Sequence, residues 1–361
     1  MNRRSFFLLV TVTPAVFLLA AICLIVFTCA NVKDKTEYAA ENAAEEPLEI
    51  AEEEPAPSEP ENLQAEEESS AVQVSYHVSR PLSGLSGRLQ GLGVNVSEID
   101  PVNYQNPDPD VLKQMGADPY LISYFTGEQF YRNGNYDRAL TEYNASINRN
   151  SDFIEAYISR GNAYMKKRDF SRAIDDYSRS IRIDNSRAEI YNYRGFARAE
   201  MAARGSRGEL SLAIDDFSRA ISLNRNYVDA LVNRSHALYQ SGSYDRVIED
   251  CDQIIRLEPA NSVIWNRRGS AWYAKEDDDR AIRDFTEAIR LNANYAAAFF
   301  NRASAFYNKS DMDRALSDLN RALAINPSYT AAYTNRSVIY QLQGNTESAA
   351  ADLETAKRLQ R

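Results

Sequence analysis

Arginine and aspartate recur in this chain at a fixed interval, a pattern that could bind an anion or form internal ion pairs. Arg160, Arg194, Arg234, Arg268, Arg302 and Arg336 follow one another every 34 residues, with one interval of 40. Asp176, Asp216, Asp250, Asp284, Asp318 and Asp352 keep the same rhythm. A row of guanidinium groups could hold an acidic ligand. The matching row of carboxylates favours internal Arg–Asp pairing, because buried charges are normally paired and arginine suits a partly buried carboxylate. No catalytic constellation accompanies them. His77 and His236 have no nucleophile nearby in sequence, and there is no glycine-rich phosphate loop. Two histidines leave little for a metal. Three cysteines make no disulfide framework, and Cys251 reads as a core residue. The chain is therefore expected to be no enzyme, with no cofactor, metal or small-molecule substrate.

The interval requires a repeated element to carry these residues. Seven tandem repeats span 120–153, 154–187, 188–227, 228–261, 262–295, 296–329 and 330–361, the third lengthened by an insertion around Ala202–Gly208. Numbering each repeat from its first residue, position 8 is small: Gly127, Gly161, Gly195, Ser235, Gly269, Ala303 and Ser337. Position 20 is alanine or valine throughout, and position 24 is mostly large: Tyr143, Tyr177, Phe217, Cys251, Phe285, Leu319 and Leu353. Small residues allow two helices to approach, and large ones fill the gap beside them. Asn133-Gly134-Asn135 and Ser241-Gly242-Ser243 mark a turn near position 15, while Pro259 and Pro327 stop a helix between repeats. Each repeat thus reads as two antiparallel helices.

Over 242 of the 361 residues this pattern closely resembles the tetratricopeptide repeat family. The resemblance implies an all-α fold: a right-handed superhelical solenoid of seven helix–turn–helix repeats, with the first helices lining a concave groove that binds a protein or peptide. The first-helix positions that the family turns to the groove hold Tyr131, Tyr239, Tyr273 and Tyr307 at position 12. At position 6 they hold Asn233, Arg267, Asn301 and Asn335. Tyrosine offers rigid contact area with a polar tip, and an asparagine amide can bond a peptide backbone through both its donor and its acceptor. Asn233 and Arg267 match two positions of the carboxylate clamp known in some members. The other clamp positions hold Asn192, Phe196 and Val263 with no lysine, so no such clamp is expected.

The N-terminus reads as an address. Arg3 and Arg4 precede an uncharged run from Phe6 to Ala30. As a helix that run is about 37 Å long, enough to cross a bilayer core. Residues 1–32 are therefore read as an uncleaved signal anchor, a transmembrane helix with its positive end inside and the rest of the chain extracytoplasmic (periplasmic in a diderm bacterium). Two alternatives stay open: cleavage near Ala30, and lipidation of Cys29. The second would make the chain an accessory lipoprotein of an envelope assembly or transport complex.

Residues 33–75 form an acidic Pro/Glu/Ala-rich linker, expected to be a disordered tether. Residues 76–119 form a connecting segment of poorly defined structure, in which Leu82–Ile99 could pack on the fold. The net charge of -10 is local. Residues 37–68 hold 13 Glu and no Lys or Arg. The remainder is nearly neutral, which argues against nucleic acid as a partner.

Overall fold

The computed structural model describes residues 107–114, 116–206 and 208–360. The expected anchor, Cys29, the acidic linker and Leu82–Ile99 lie outside these residues. The described residues contain fifteen α-helices and no strand. They divide into two compact bodies after Ile264.

The N-terminal body holds α1 (Pro109–Gln114), α2 (Pro119–Arg132), α3 (Tyr136–Arg149), α4 (Ile154–Lys166), α5 (Phe170–Ile183), α6 (Ala188–Ala203), α7 (Gly208–Leu223), α8 (Val228–Gln240) and α9 (Tyr244–Leu257). The division falls within α10 (Ser262–Ala274). The C-terminal body continues with α11 (Asp278–Leu291), α12 (Ala296–Asn308), α13 (Met312–Ile325), α14 (Thr330–Leu342) and α15 (Thr346–Leu359). Within each body every helix packs on its neighbours in sequence. The short α1 was not signalled by the repeat pattern; it lies outside the repeats and packs on α2 through the fully buried Leu112.

The two helices of a repeat differ for a physical reason. A second helix buries one stripe: α5 buries Phe170, Ala173, Asp176, Tyr177 and Ser180 at helical spacing. The first helix α4 lies between two second helices, α3 and α5, and is buried on most sides. α4 buries Ala156, Tyr157, Ile158, Ser159, Gly161, Asn162, Ala163 and Met165. Five second helices start on a side-chain cap. Asn135, Asp169, Asp277, Asp311 and Asn345 each accept from the backbone N–H three residues on.

The turn ahead of each cap needs a left-handed residue at position 15. Glycine supplies it at Gly134, Gly242 and Gly344, whereas Arg168, Glu276 and Ser310 adopt it with φ of 58°, 65° and 62°.

Position 8 sets how closely the two helices of a repeat approach. A Cβ on Gly127, Gly161, Gly195 or Gly269 would come within 2.6–2.7 Å of the ring of Tyr143, Tyr177, Phe217 or Phe285. Where position 24 shrinks to Cys251, Leu319 or Leu353, position 8 grows to Ser235, Ala303 or Ser337. The gap is filled from one helix or the other, never from both.

Candidate functional site

Each Arg of the periodic row reaches the Asp of its own repeat in a fork. The Nε donates to Oδ2 at 2.8–3.0 Å in all six pairs. The Nη2 donates to Oδ1 at 2.5–2.9 Å. The aspartates are 3–6% exposed. For Arg160, burial pulls the pKa down, but the hydrogen bonds and charge of Asp176 more than restore it, so it lies above its ordinary value.

The sequence reading missed a third partner. The Nη1 of Arg160, Arg194, Arg234, Arg302 and Arg336 donates to Asn144, Ser178, Ser218, Thr286 and Asn320 respectively, at 2.5–3.1 Å. These acceptors share one register on the second helix of the preceding repeat, and each lies 16 residues before its Arg. One guanidinium therefore ties two helices of its own repeat to the repeat before it. An aromatic ring lies beneath the same group in five repeats, from Tyr157, Tyr191, Trp265, Phe299 and Tyr333, with centroid distances of 4.7–5.7 Å. The short polar acceptors and the aromatic three residues before five of the six Arg were both visible as periodic columns. With its donors occupied in this way, the row is poorly placed to take an acidic ligand.

The insertion in the third repeat accompanies a change at position 11, where the other repeats hold an aromatic or leucine and this one holds Arg198. Arg198 Nη1 donates to Asp216 Oδ2 at 2.8 Å, so Asp216 carries two arginines, and Arg198 also pairs with Glu209 of the lengthened α7 at 3.5 Å. Arg204, at the turn, lies over the Phe170 ring at 4.6 Å.

The expected groove tyrosines fall into two kinds. Tyr131, Tyr239 and Tyr273 are half-buried. Tyr131 and Tyr239 meet Tyr136 and Tyr244 edge-on at 5.4 and 5.3 Å, so position 12 packs on position 17 of the same repeat. Burial raises the Tyr131 pKa above its ordinary value, with Tyr136, Glu128 and Tyr193 adding to the effect. Tyr307 departs from the groove-facing position that the family resemblance implies. It is 3% exposed, within a core cluster that includes Phe306, Leu319 and the partly buried Met312.

The asparagines depart from it too. Asn301 and Asn335 are 4% and 5% exposed. Asn233 is half-buried, and its Nδ2 donates to Asn192 Oδ1 at 3.0 Å, while Asn192 Nδ2 reaches Tyr227 Oη at 3.5 Å. Asn301 repeats this geometry on Asn266 at 3.1 Å, and Asn266 on Tyr295 at 3.4 Å. Position 6 of one repeat thus clips to position 5 of the repeat before it. Arg267 is half-buried. Among the described residues no group of three or more His, Cys, Asp or Glu could hold a metal, and no helix is long and apolar enough to cross a membrane.

Comparison with known proteins follows the same register. Residues 127–168 match the family described as TPR repeat, and residues 154–186 match tetratricopeptide repeat. A further tetratricopeptide repeat family matches over 232–296, 266–330 and 300–360. No curated relative matches the chain in sequence. Among solved structures, a tetratricopeptide repeat protein from Parabacteroides merdae is similar at 17% identity and a TM-score of 0.54, covering 67% of this chain and 93% of its own. The C-terminal part of a TPR repeat-containing protein from Cytophaga hutchinsonii is similar at 17% identity and a TM-score of 0.55, covering 65% of this chain and 95% of its own. The MamA protein is 25% identical over 49% of this chain and 94% of its own, with a TM-score of 0.46. With the same paired helices and the family's sequence signature on both sides of the inserted third repeat, the chain belongs to the tetratricopeptide repeat family.

Proposed function

We propose that the repeats form a non-catalytic interaction scaffold that binds an extended polypeptide along its first helices. The observation that carries this reading is the state of position 12. Tyr131, Tyr239 and Tyr273 keep part of each ring uncovered, at one register, on helices that are otherwise largely buried. A tyrosine held at one edge by a neighbouring ring has little rotamer freedom to lose on binding, which favours its use as an anchor. The scaffold is further proposed to be tethered to the cytoplasmic membrane by the uncharged run from Phe6 to Ala30, with the repeats on the extracytoplasmic side.

A photocrosslinking amino acid placed at Tyr239 or Tyr273 tests the first part, with Arg321 on a second helix as the control position. Adducts to one discrete polypeptide from the two first-helix positions alone are expected. Equal labelling from Arg321 would remove the first-helix face as the binding surface. N-terminal sequencing of the membrane-bound chain tests the second part. A start at Met1 is expected, a blocked Cys29 would replace the anchor by a lipid, and a start at Ala30 or Asn31 would remove the tether.

A further inference from the structure

At and just after the turn inside each of the first three repeats, arginines reach the surface. Arg138 lies in the first turn of α3, Arg168 precedes α5, Arg172 lies in its first turn, and Arg204 follows α6. All four are exposed. Each turn touches the next, so they share one edge of the N-terminal body. Lys167 of the second repeat pairs with Asp137 of the first, and Arg204 of the third lies over the ring of Phe170, which stands between Arg168 and Arg172. Arg138 and Arg172 are likewise stacked, on Phe130 and Tyr164 at 5.5 and 5.2 Å. A guanidinium held through its face keeps its N–H edge for an acceptor.

Few carboxylates answer this edge. Asp169 pairs with Arg172 at 2.9 Å, and Asp137 is taken by Lys167. Among the described residues, Arg138, Arg168 and Arg204 have no carboxylate partner. The charge is not a property of the turn as such. Where the second repeat reads Lys167-Arg168-Asp169-Phe170-Ser171, the fifth reads Lys275-Glu276-Asp277-Asp278-Asp279. The chain itself carries the complement: residues 37–68, with 13 Glu and no Lys or Arg. These glutamates gather at 45–46, 52–54, 59–61 and 66–68. Clusters about seven residues apart stand about 23 Å apart in an extended chain. Two helix layers of about 8–10 Å each separate equivalent residues of successive repeats by about 16–20 Å. One glutamate cluster can therefore serve one repeat. Residues 69–106, up to about 125 Å long when extended, leave ample reach.

We propose that residues 37–68 dock along this edge of their own chain, with glutamates pairing to Arg138, Arg168 and Arg204. Each carboxylate accepts from the N–H edge of a guanidinium, in a fork where both oxygens reach. Exposed ion pairs are weak one by one. Carried on the same chain, the segment meets the edge at an effective concentration in the millimolar range, so a few such pairs suffice at low salt. Screening then releases it, because the Debye length falls from about 10 Å at 0.1 M salt to about 3 Å at 1 M. None of the pairing residues belongs to the position-12 tyrosines, so this docking stands or falls apart from the scaffold reading above.

The test places a photocrosslinking amino acid at Glu53 of the full-length chain in nonionic detergent and maps the adducts by mass spectrometry. Adducts within one chain, on residues 130–204, are expected. Their yield should fall about tenfold in 1 M salt, and about tenfold at 0.1 M salt in the triple variant Arg138→Gln, Arg168→Gln, Arg204→Gln. The melting temperature of that variant should change little, since exposed side chains are being replaced. If the triple variant does unfold, Arg168→Gly serves instead. It relieves a φ of 58° and should cut the yield about twofold while the fold becomes more stable. Adducts spread evenly over the repeats, or a yield that ignores both salt and the arginines, would overturn the docking. A mixture of heavy- and light-isotope chains separates the remaining sources. Adducts found only between chains would give the edge to a second copy and overturn docking within the chain. If the arginines control flotation with phosphatidylcholine–phosphatidylglycerol vesicles while the adducts ignore them, the edge faces lipid and the proposal falls.

Discussion

Replacing Gly269 by alanine puts a methyl group 2.7 Å from Phe285 Cε1, 2.8 Å from Cδ1 and 3.2 Å from Asp284 Cβ. Two atoms of a fully buried ring cannot both withdraw, and Asp284 is pinned by Arg268 through two bonds of 2.7–2.8 Å. Overpacking of this kind costs about 3 kcal/mol at its upper range, and the alanine returns about 1 kcal/mol of helix propensity, leaving a net loss of about 2 kcal/mol. Phe285→Leu alone opens a cavity and is expected to cost about 1.5 kcal/mol, part of the loss seen on truncating a buried aromatic fully. The double variant recreates the Ala303/Leu319 pair that the sixth repeat already uses, so the alanine methyl fills the space the ring vacates. It should lose only about 1 kcal/mol against wild type, a coupling of about 2.5 kcal/mol in favour of the pair. Urea midpoints followed by circular dichroism at 222 nm read this, with the slopes checked because tandem repeats need not unfold in one step. Additivity of the two losses to within about 0.5 kcal/mol would refute the argument that one gap is shared between positions 8 and 24.

Four further outcomes are expected. Arg302→Ala leaves Asp318 buried and unpaired and should cost about 2–4 kcal/mol; Arg302→Lys should recover less than half, since an ammonium cannot fork, and a loss below about 0.5 kcal/mol for the alanine would remove the pair as a structural element. Tyr307→Ala should lower stability by about 3–4 kcal/mol and Tyr273→Ala by about 1–2 kcal/mol, and equal melting losses would contradict their difference in burial. Burial first, then the charge of Glu128, raises the pKa of Tyr124 and Tyr143, and burial likewise raises Tyr227. The unfolded chain therefore ionises first, so stability is full below about pH 10 and falls as pH rises beyond it; complete tyrosinate absorption at pH 11 with undiminished helicity would refute this. Arg168→Gly relieves a φ of 58° and should stabilise by about 0.5–1 kcal/mol, against no gain at an exposed helical control position.

What could be read without the tertiary structure was whatever repeats. Position 8, position 24, the turn at position 15 and the Arg and Asp columns each report a contact made inside one helix pair, so one period of sequence states the contact and the next restates it. Contacts between repeats are weaker signals. The acceptors Asn144, Ser178, Ser218, Thr286 and Asn320 share only a short polar side chain, and nothing in any one of them names an Arg in the following repeat as its partner.

The candidate site shows the same division. Tyr273 and Tyr307 stand at one position and look equivalent in sequence, yet one stays half-buried and the other joins the core. Asn233, Asn301 and Asn335 form one column, but whether an amide is satisfied depends on the residue one place earlier in the preceding first helix: Asn192, Asn266 or Phe300. The helix pairs, their length and their internal charge pairing are legible along the chain, because they depend on residues a fixed distance apart. Exposure and hydrogen-bond satisfaction at the first helices emerge on packing, because they are properties of a surface shared by two repeats whose side chains differ.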